Sequence, residues 1–130
     1  CCSHDTYDPA RGYGYFMNDI TCISTDDLKN WTDHGEVFRA ADSKWGARNT
    51  WAPCVVERDG KFYLYYGDAN AGGIGVAVSD SPTGPFVDNL ERPLVGLDTP
   101  GVILRDENGQ LVKSAPDVEG ALSGSENWGM

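Results

Sequence analysis

Three residues recur at one fixed separation. Ser24, Trp31 and Asp33 reappear as Ser79, Phe86 and Asp88, and the separations 24 to 79, 31 to 86 and 33 to 88 are each 55 residues. In both copies a strand-like apolar run, residues 20–24 or 74–79, ends in Ser. A polar turn follows, then an aromatic, then an Asp two residues later. Repeats near 50 residues mark units that bury their faces only by stacking on one another, and in a β-rich chain such units are propeller blades. The alternative is a pair of unrelated β-meanders.

The second copy can be read strand by strand. Residues 51–58 and 61–66 flank Asp59-Gly60, a pair suited to a type I′ turn because both central positions need positive φ. This predicts a hairpin. Residues 74–79 follow as a third strand. Gly75 and Ala77 share one face of it, where small side chains let a neighbour approach closely. After the turn at residues 81–85, Phe86 opens a short fourth strand. A third unit begins beyond Pro93, with a strand at residues 102–105, a turn at Asn108-Gly109 and a return at residues 110–113. Residues 114–130 are polar and rich in Gly and Ser, and read as loop.

The expected fold is therefore all-β: a partial propeller holding the end of blade one (1–40), all of blade two (45–95) and an unfinished connection or third blade (96–130). A propeller closes with about four or more blades, so the whole of 1–130 reads as a fragment of one domain. Helix is expected to be scarce.

Charge narrows the partners. Ten Lys and Arg face twenty Asp and Glu, a net charge of −10. Nucleic-acid binding needs concentrated cations, so no nucleic-acid partner is expected. An anionic membrane surface is disfavoured too, and no apolar run is long enough to span a bilayer. The four cysteines, Cys1, Cys2, Cys22 and Cys54, have irregular spacing and form no C-x-x-C pair, so a zinc site is not expected. They read mainly as small strand hydrophobes.

Beyond these patterns lies a resemblance. Ser3-His4-Asp5, Phe16-Met17-Asn18-Asp19 and the run from Ser24 through Trp31-Thr32-Asp33-His34-Gly35 resemble the first blade of glycoside hydrolase family 43. Trp51-Ala52-Pro53, Asp59-Gly60-Lys61-Phe62-Tyr63-Leu64-Tyr65 and the run from Ile74 through Ser81-Pro82-Thr83-Gly84-Pro85-Phe86 resemble its second. The branch most similar contains arabinoxylan arabinofuranohydrolases and β-xylosidases. The resemblance implies a five-bladed propeller with a central pocket and an inverting mechanism. Inversion sets two carboxyls roughly 6.5–9.5 Å apart so that water fits between the base and the sugar. An Asp is the base, a Glu of raised pKa is the acid, and a further Asp keeps that Glu protonated and oriented.

Carried over position by position, most of this machinery falls outside the chain. The base belongs to a strand before Cys1. The orienting Asp belongs to an Asp-Pro expected after Trp128, and the acid comes later still. Within the chain, Asp98 is the candidate for the orienting Asp, taking Leu97-Asp98-Thr99-Pro100 as that Asp-Pro with one residue inserted. Glu119 has a faintly similar setting to the acid but lacks its Pro and comes too soon.

The candidate substrate-binding residues are His4, Asp5, Trp51 and Cys54. His4 and Asp5 end what is read as an inner strand of blade one; a structural His and a turn Asp are the other reading. Trp51 starts the innermost strand of blade two, where an indole stacks on a sugar or packs between blades. Cys54 has no nearby base to activate it and is read as pocket lining. Trp31, Trp45, Phe62, Tyr63, Tyr65 and Tyr66 are expected in packing between sheets.

The expected function is hydrolysis of arabinofuranosyl or xylosyl units of plant cell-wall polysaccharide by the full-length enzyme, with this chain inactive alone. The alternatives are a non-catalytic carbohydrate-binding propeller and a related five-bladed clan, the fructan hydrolases or mannoside phosphorylases. No cofactor is required and no metal ligands are assigned. Calcium is compatible with the abundant carboxylates and carbonyls, but no spaced loop motif selects it. The expected partner is a carbohydrate substrate, with oligomeric state left open. A polymeric substrate places the full-length protein outside the cell or in the periplasm.

Overall fold

A computed structural model describes residues 1–7, 9–10, 16–68, 71–96, 99, 108 and 110. The chain divides into two compact units, Cys1–Val95 and Gly96–Met130. In the second unit, Gly96 and Thr99 bond each other twice: Thr99 N–H donates to the Gly96 carbonyl at 3.1 Å and Gly96 N–H to Thr99 Oγ1 at 2.8 Å. The expected strand at residues 102–105 and loop at 114–130 lie outside the described residues.

The first unit holds two antiparallel sheets. The first is β1 (Cys2–Thr6), β2 (Phe16–Ser24) and β3 (Thr32–Arg39), in that order. A single 3₁₀ turn, Ala40–Asp42, follows it. The second sheet is β4 (Trp51–Arg58), β5 (Lys61–Asp68), β6 (Gly73–Ser79) and β7 (Val87–Asp88), a continuous meander. Arg58 pairs with Lys61 across the turn, where Asp59 and Gly60 have φ of 53° and 74°. Both central φ are positive, as the hairpin reading requires. Glu57 Oε1 accepts the Gly60 N–H at 2.8 Å.

The two copies of the repeat fall in separate, stacked sheets. Residues 20–24 lie in β2 and residues 74–79 in β6. By that equivalence β3 stands where β7 stands, and β1 stands where β5 stands. The strand carrying His4 and Asp5 is thus the counterpart of a second strand, not of innermost β4.

One core joins the sheets. Ile20, Cys22, Val37 and Phe38 from the first meet Leu64, Tyr66, Ala77 and Phe86 from the second, with Ala47 between, and Trp45, Val55 and Phe62 pack on this cluster. Burying side chains of the Leu, Ile or Phe class contributes roughly 1.5–3 kcal/mol each. Cys22 behaves as the small hydrophobe expected, but Cys1, Cys2 and Cys54 are exposed. Inside the core, Trp45 Nε1 donates to the Tyr66 hydroxyl at 3.0 Å, and that hydroxyl donates to Asp88 Oδ2 at 2.7 Å. Gly75 explains how this fits: a Cβ there would stand 2.6 Å from the Tyr66 oxygen and 2.8 Å from Trp45 Nε1.

The repeat is not uniform in burial. Phe86 and Asp88 are buried, but Trp31 is 54% exposed and Asp33 is exposed as well. Trp31 is therefore not a packing residue here. Phe86 is covered because its N–H bonds the Val37 carbonyl of β3 at 2.9 Å, docking the second sheet onto the first. The described residues contain no sheet placed to cover Trp31 in the same way.

Candidate functional site

The start of β4 is built on a buried carboxylate. Asp68, at the end of β5, has no solvent exposure. Its Oδ2 accepts the backbone N–H of Arg48 at 2.5 Å and of Asn49 at 3.0 Å. A buried charge is tolerated when it is hydrogen-bonded in this way. The next two residues reach across to the first sheet. Asn49 Oδ1 accepts the Met17 N–H at 3.2 Å. Thr50 donates its N–H and its hydroxyl to the Met17 carbonyl, at 2.8 and 3.1 Å. Residues 48–50 thus rivet the end of β5 to the start of β2 and set the direction in which Trp51 leaves.

Trp51 and Cys54 are three residues apart, which in a regular strand places them on opposite faces. A bulge changes this. Trp51 pairs with Gly67 and Cys54 with Tyr65, so three steps on β4 match two on β5. Ala52 absorbs the extra residue at φ 45°, a conformation uncommon outside Gly. Both side chains therefore share a face with Tyr65. Cys54 is exposed and Trp51 half-buried. Trp51 Nε1 is buried without a hydrogen-bond partner among the described residues, an arrangement that native interiors rarely leave in place.

His4 pairs with Asp19 across β1 and β2, and its Nδ1 lies 2.9 Å from Asp19 Oδ1. Its neighbour Ser3 pairs with Ile20 of the core, so His4 and Asp19 occupy the face of the first sheet turned from that core. Asp5 is exposed. β1, which carries His4 and Asp5, lies against β4, which carries Trp51 and Cys54. The structure thus joins His4 to Asp19 and puts Trp51 and Cys54 on one face of β4. Asp98 and Glu119 lie outside the described residues. Among the described residues, no group of three or more His, Cys, Asp or Glu is placed to hold a metal ion.

A groove of about 420 Å³ opens where β2 begins and β3 ends, its apolar floor of alanine side chains rimmed by Asn18, Asp19, Glu36, Arg39 and Arg48. Sequence reading missed Asp68, Asp19 and Arg48. The signal for Asp68 was available in part, as an Asp directly after the Tyr-rich strand and its Gly. No spacing marks Arg48, whose place is fixed by its backbone bond to Asp68.

Comparison with known proteins agrees with this geometry. The family model for Glycosyl hydrolases family 43 matches residues 3–115. An arabinoxylan arabinofuranohydrolase of Bacillus subtilis (strain 168) is 38% identical over 99 residues, covering 66% of this chain and 19% of that protein. The xylosidase/arabinosidase 43A of Humicola insolens is 41% identical over 92 residues, covering 66% and 28%. Among solved structures, an α-L-arabinofuranosidase from Clostridium thermocellum superposes with a TM-score of 0.65 at 54% identity, covering 84% of this chain and 40% of that one. A β-xylosidase/α-arabinofuranosidase from a compost metagenome, solved with xylotriose in a calcium-free form, gives 0.59 at 34%, covering 84% and 36%. The chain spans from about a fifth to two fifths of the length of these relatives. The two stacked sheets are successive blades of the family's five-bladed propeller, and the chain belongs to glycosyl hydrolases family 43.

Proposed function

We propose that this chain forms two blades of an inverting glycosidase that removes arabinofuranosyl or xylosyl units from arabinoxylan, xylan or arabinan. The observation that carries the reading is the 54% identity, at a TM-score of 0.65, to an α-L-arabinofuranosidase. In this reading the chain supplies pocket wall: Trp51 and Cys54 from one sheet and His4 and Asp5 from the other, with Asp98 the fallback candidate within the chain for the Asp that orients the acid. The base and the acid are supplied by sequence before Cys1 and after Met130. The base activates water on one side of the sugar while the acid protonates the leaving oxygen on the other. This chemistry needs two carboxyls and water and calls for no cofactor. No calcium is assigned to the described residues. The polymeric substrate places the whole enzyme outside the cell or in the periplasm.

The test compares the 130-residue chain with the same chain extended at both ends, using aryl α-L-arabinofuranoside and aryl β-D-xyloside. Turnover by the extended protein alone is expected. General acid and base assistance are each worth about 10²–10⁴-fold, so the short chain should be at background. Comparable turnover by the short chain would overturn the placement of the catalytic carboxyls. No turnover by either would overturn the glycosidase reading.

A further inference from the structure

We propose that the groove between the start of β2, the end of β3 and Arg48 is an accessory subsite for neutral sugar units of a glycan, with Arg48 as its reading residue. The inference rests on the glycosidase reading and extends it to a named binding position. The groove's volume of about 420 Å³ is in the range of small-ligand sites, roughly 300–1,000 Å³.

Its walls are rigid. Asp19 and Arg39 are paired across β2 and β3, and the Arg48 backbone is held by buried Asp68. Most of its charged groups are already engaged: Asp19 with His4 at 2.9 Å, and Arg39 with Glu36 at 3.3 Å and Asp42 at 3.1 Å. Arg48 differs. It is exposed, and its guanidinium makes no hydrogen bond or ion pair among the described residues. It is a free head on a fixed root, which lowers the ordering cost of binding.

Charge selects the ligand. Two carboxylates and two guanidinium groups line the groove, and Asp42 beside Arg39 tips the surroundings negative, in a chain of net charge −10. An anion meets repulsion there. A polyol does not: a guanidinium offers a planar fork of donors to adjacent hydroxyl oxygens, while carboxylates accept hydroxyl protons. Arg48 stands three residues before Trp51, at the same end of the second sheet. The groove therefore suits sugars flanking a unit held in the pocket.

The experiment titrates the 130-residue chain with xylotriose and, separately, with a uronic-acid-substituted xylo-oligosaccharide. The ¹⁵N signals of the Arg48 Nε–H and Asn18 side-chain amide are followed in the native chain, Arg48→Ala and Arg48→Lys. Xylotriose should shift both signals saturably. Arg48→Ala should raise the Kd at least fivefold, and Arg48→Lys by less. The acidic oligosaccharide should bind no more tightly. Because the Arg48 side chain is exposed and unpartnered, both variants should keep native-like backbone spectra. Absence of saturable shifts in the native chain would overturn the proposal. So would an unchanged Kd in Arg48→Ala, or tighter, salt-sensitive binding of the acidic ligand. Xylotriose binding at Arg48 without turnover by the extended protein would uphold the subsite while sinking the glycosidase reading.

Discussion

Removing one oxygen, in Tyr66→Phe, tests whether the core between the two sheets is specified by hydrogen bonds as well as by packing. Tyr66 is 1% exposed and Asp88 2%. The ring stays, so its contact with Phe38, at 4.8 Å between centroids, is kept and no large cavity forms. What is lost is polar. Trp45 Nε1 loses its acceptor, and Asp88 Oδ2 loses the hydroxyl donor while Oδ1 keeps the Leu90 N–H at 2.9 Å. An orphaned buried donor costs about 1–3 kcal/mol, and a hydrogen bond to a charged group is worth about 1.5–3. Trp45 is only partly buried and Asp88 keeps one partner, so the lower ends apply and the sum is about 2.5 kcal/mol. For a small domain that lowers Tm by about 10–20 °C.

The assay is thermal unfolding of Tyr66→Phe, Asp88→Asn and the double variant. The double variant should be more stable than the sum of the singles predicts by at least about 1 kcal/mol, because each single change breaks the same bond. Burial, chiefly, pushes the Tyr66 hydroxyl well above its ordinary value of 10.0, with Asp88 adding to the rise and Ser43 and Trp45 opposing it. A raised folded pKa means this stabilisation is intact below pH 10 and falls away as pH climbs above it. Tyr66→Phe should lack that alkaline loss. A Tm change under about 3 °C with additive singles would refute the reasoning, since the hydroxyl would then be energetically idle.

Gly75→Ala should disrupt the same network from the other side, costing several times the roughly 0.5 kcal/mol of a surface change; near-UV circular dichroism of Trp45 and Tyr66 reports it. Asp68→Ala should leave two backbone N–H groups buried and cost about 2–4 kcal/mol, with hydrogen exchange rising first at Arg48 and Asn49. In the turn after β2, N–H groups of Asn30 and Lys29, with the Asn30 side chain and the Thr25 hydroxyl, hold the Asp27 carboxyl down from 3.8 to about 2. Its contribution is therefore present above pH 3.8 and lost as pH falls toward about 2. Carboxyl NMR titration should find Asp27 ionised at pH 3, and Asp27→Asn should remove this acid-dependent step.

The strands were legible because their signals are local. Asp59-Gly60 sets a hairpin whatever lies elsewhere, and the observed φ values agree with the turn it predicts. The 55-residue repeat separated β2 from β6 correctly. It failed on burial at Trp31, because a repeat equates positions in the chain, whereas burial depends on which sheet stands in front. Phe86 has β3 before it, and Trp31 has no counterpart to β3 among the described residues. Cys1 and Cys2 show the same limit: composition makes a strand cysteine a small hydrophobe, but both are exposed.

Side-chain direction near the start of β4 was the least legible feature, and it decides what this part of the molecule can bind. Strict alternation sends Trp51 and Cys54 apart. The bulge at Ala52 brings them to one face, at the expense of a φ that L-residues avoid. Local propensity does not favour that conformation, so the surroundings must impose it. Asp68 fixes residues 48 and 49, and Thr50 is tied twice to Met17, leaving Trp51 a set exit and β4 one residue too many for its ladder with β5. Buried hydrogen bonds between loop and sheet thus choose the direction of a candidate sugar-facing indole. The carboxylate that anchors them sits seventeen residues further along the chain than Trp51, so its tie to residues 48 and 49 is set by the fold and not by local pattern.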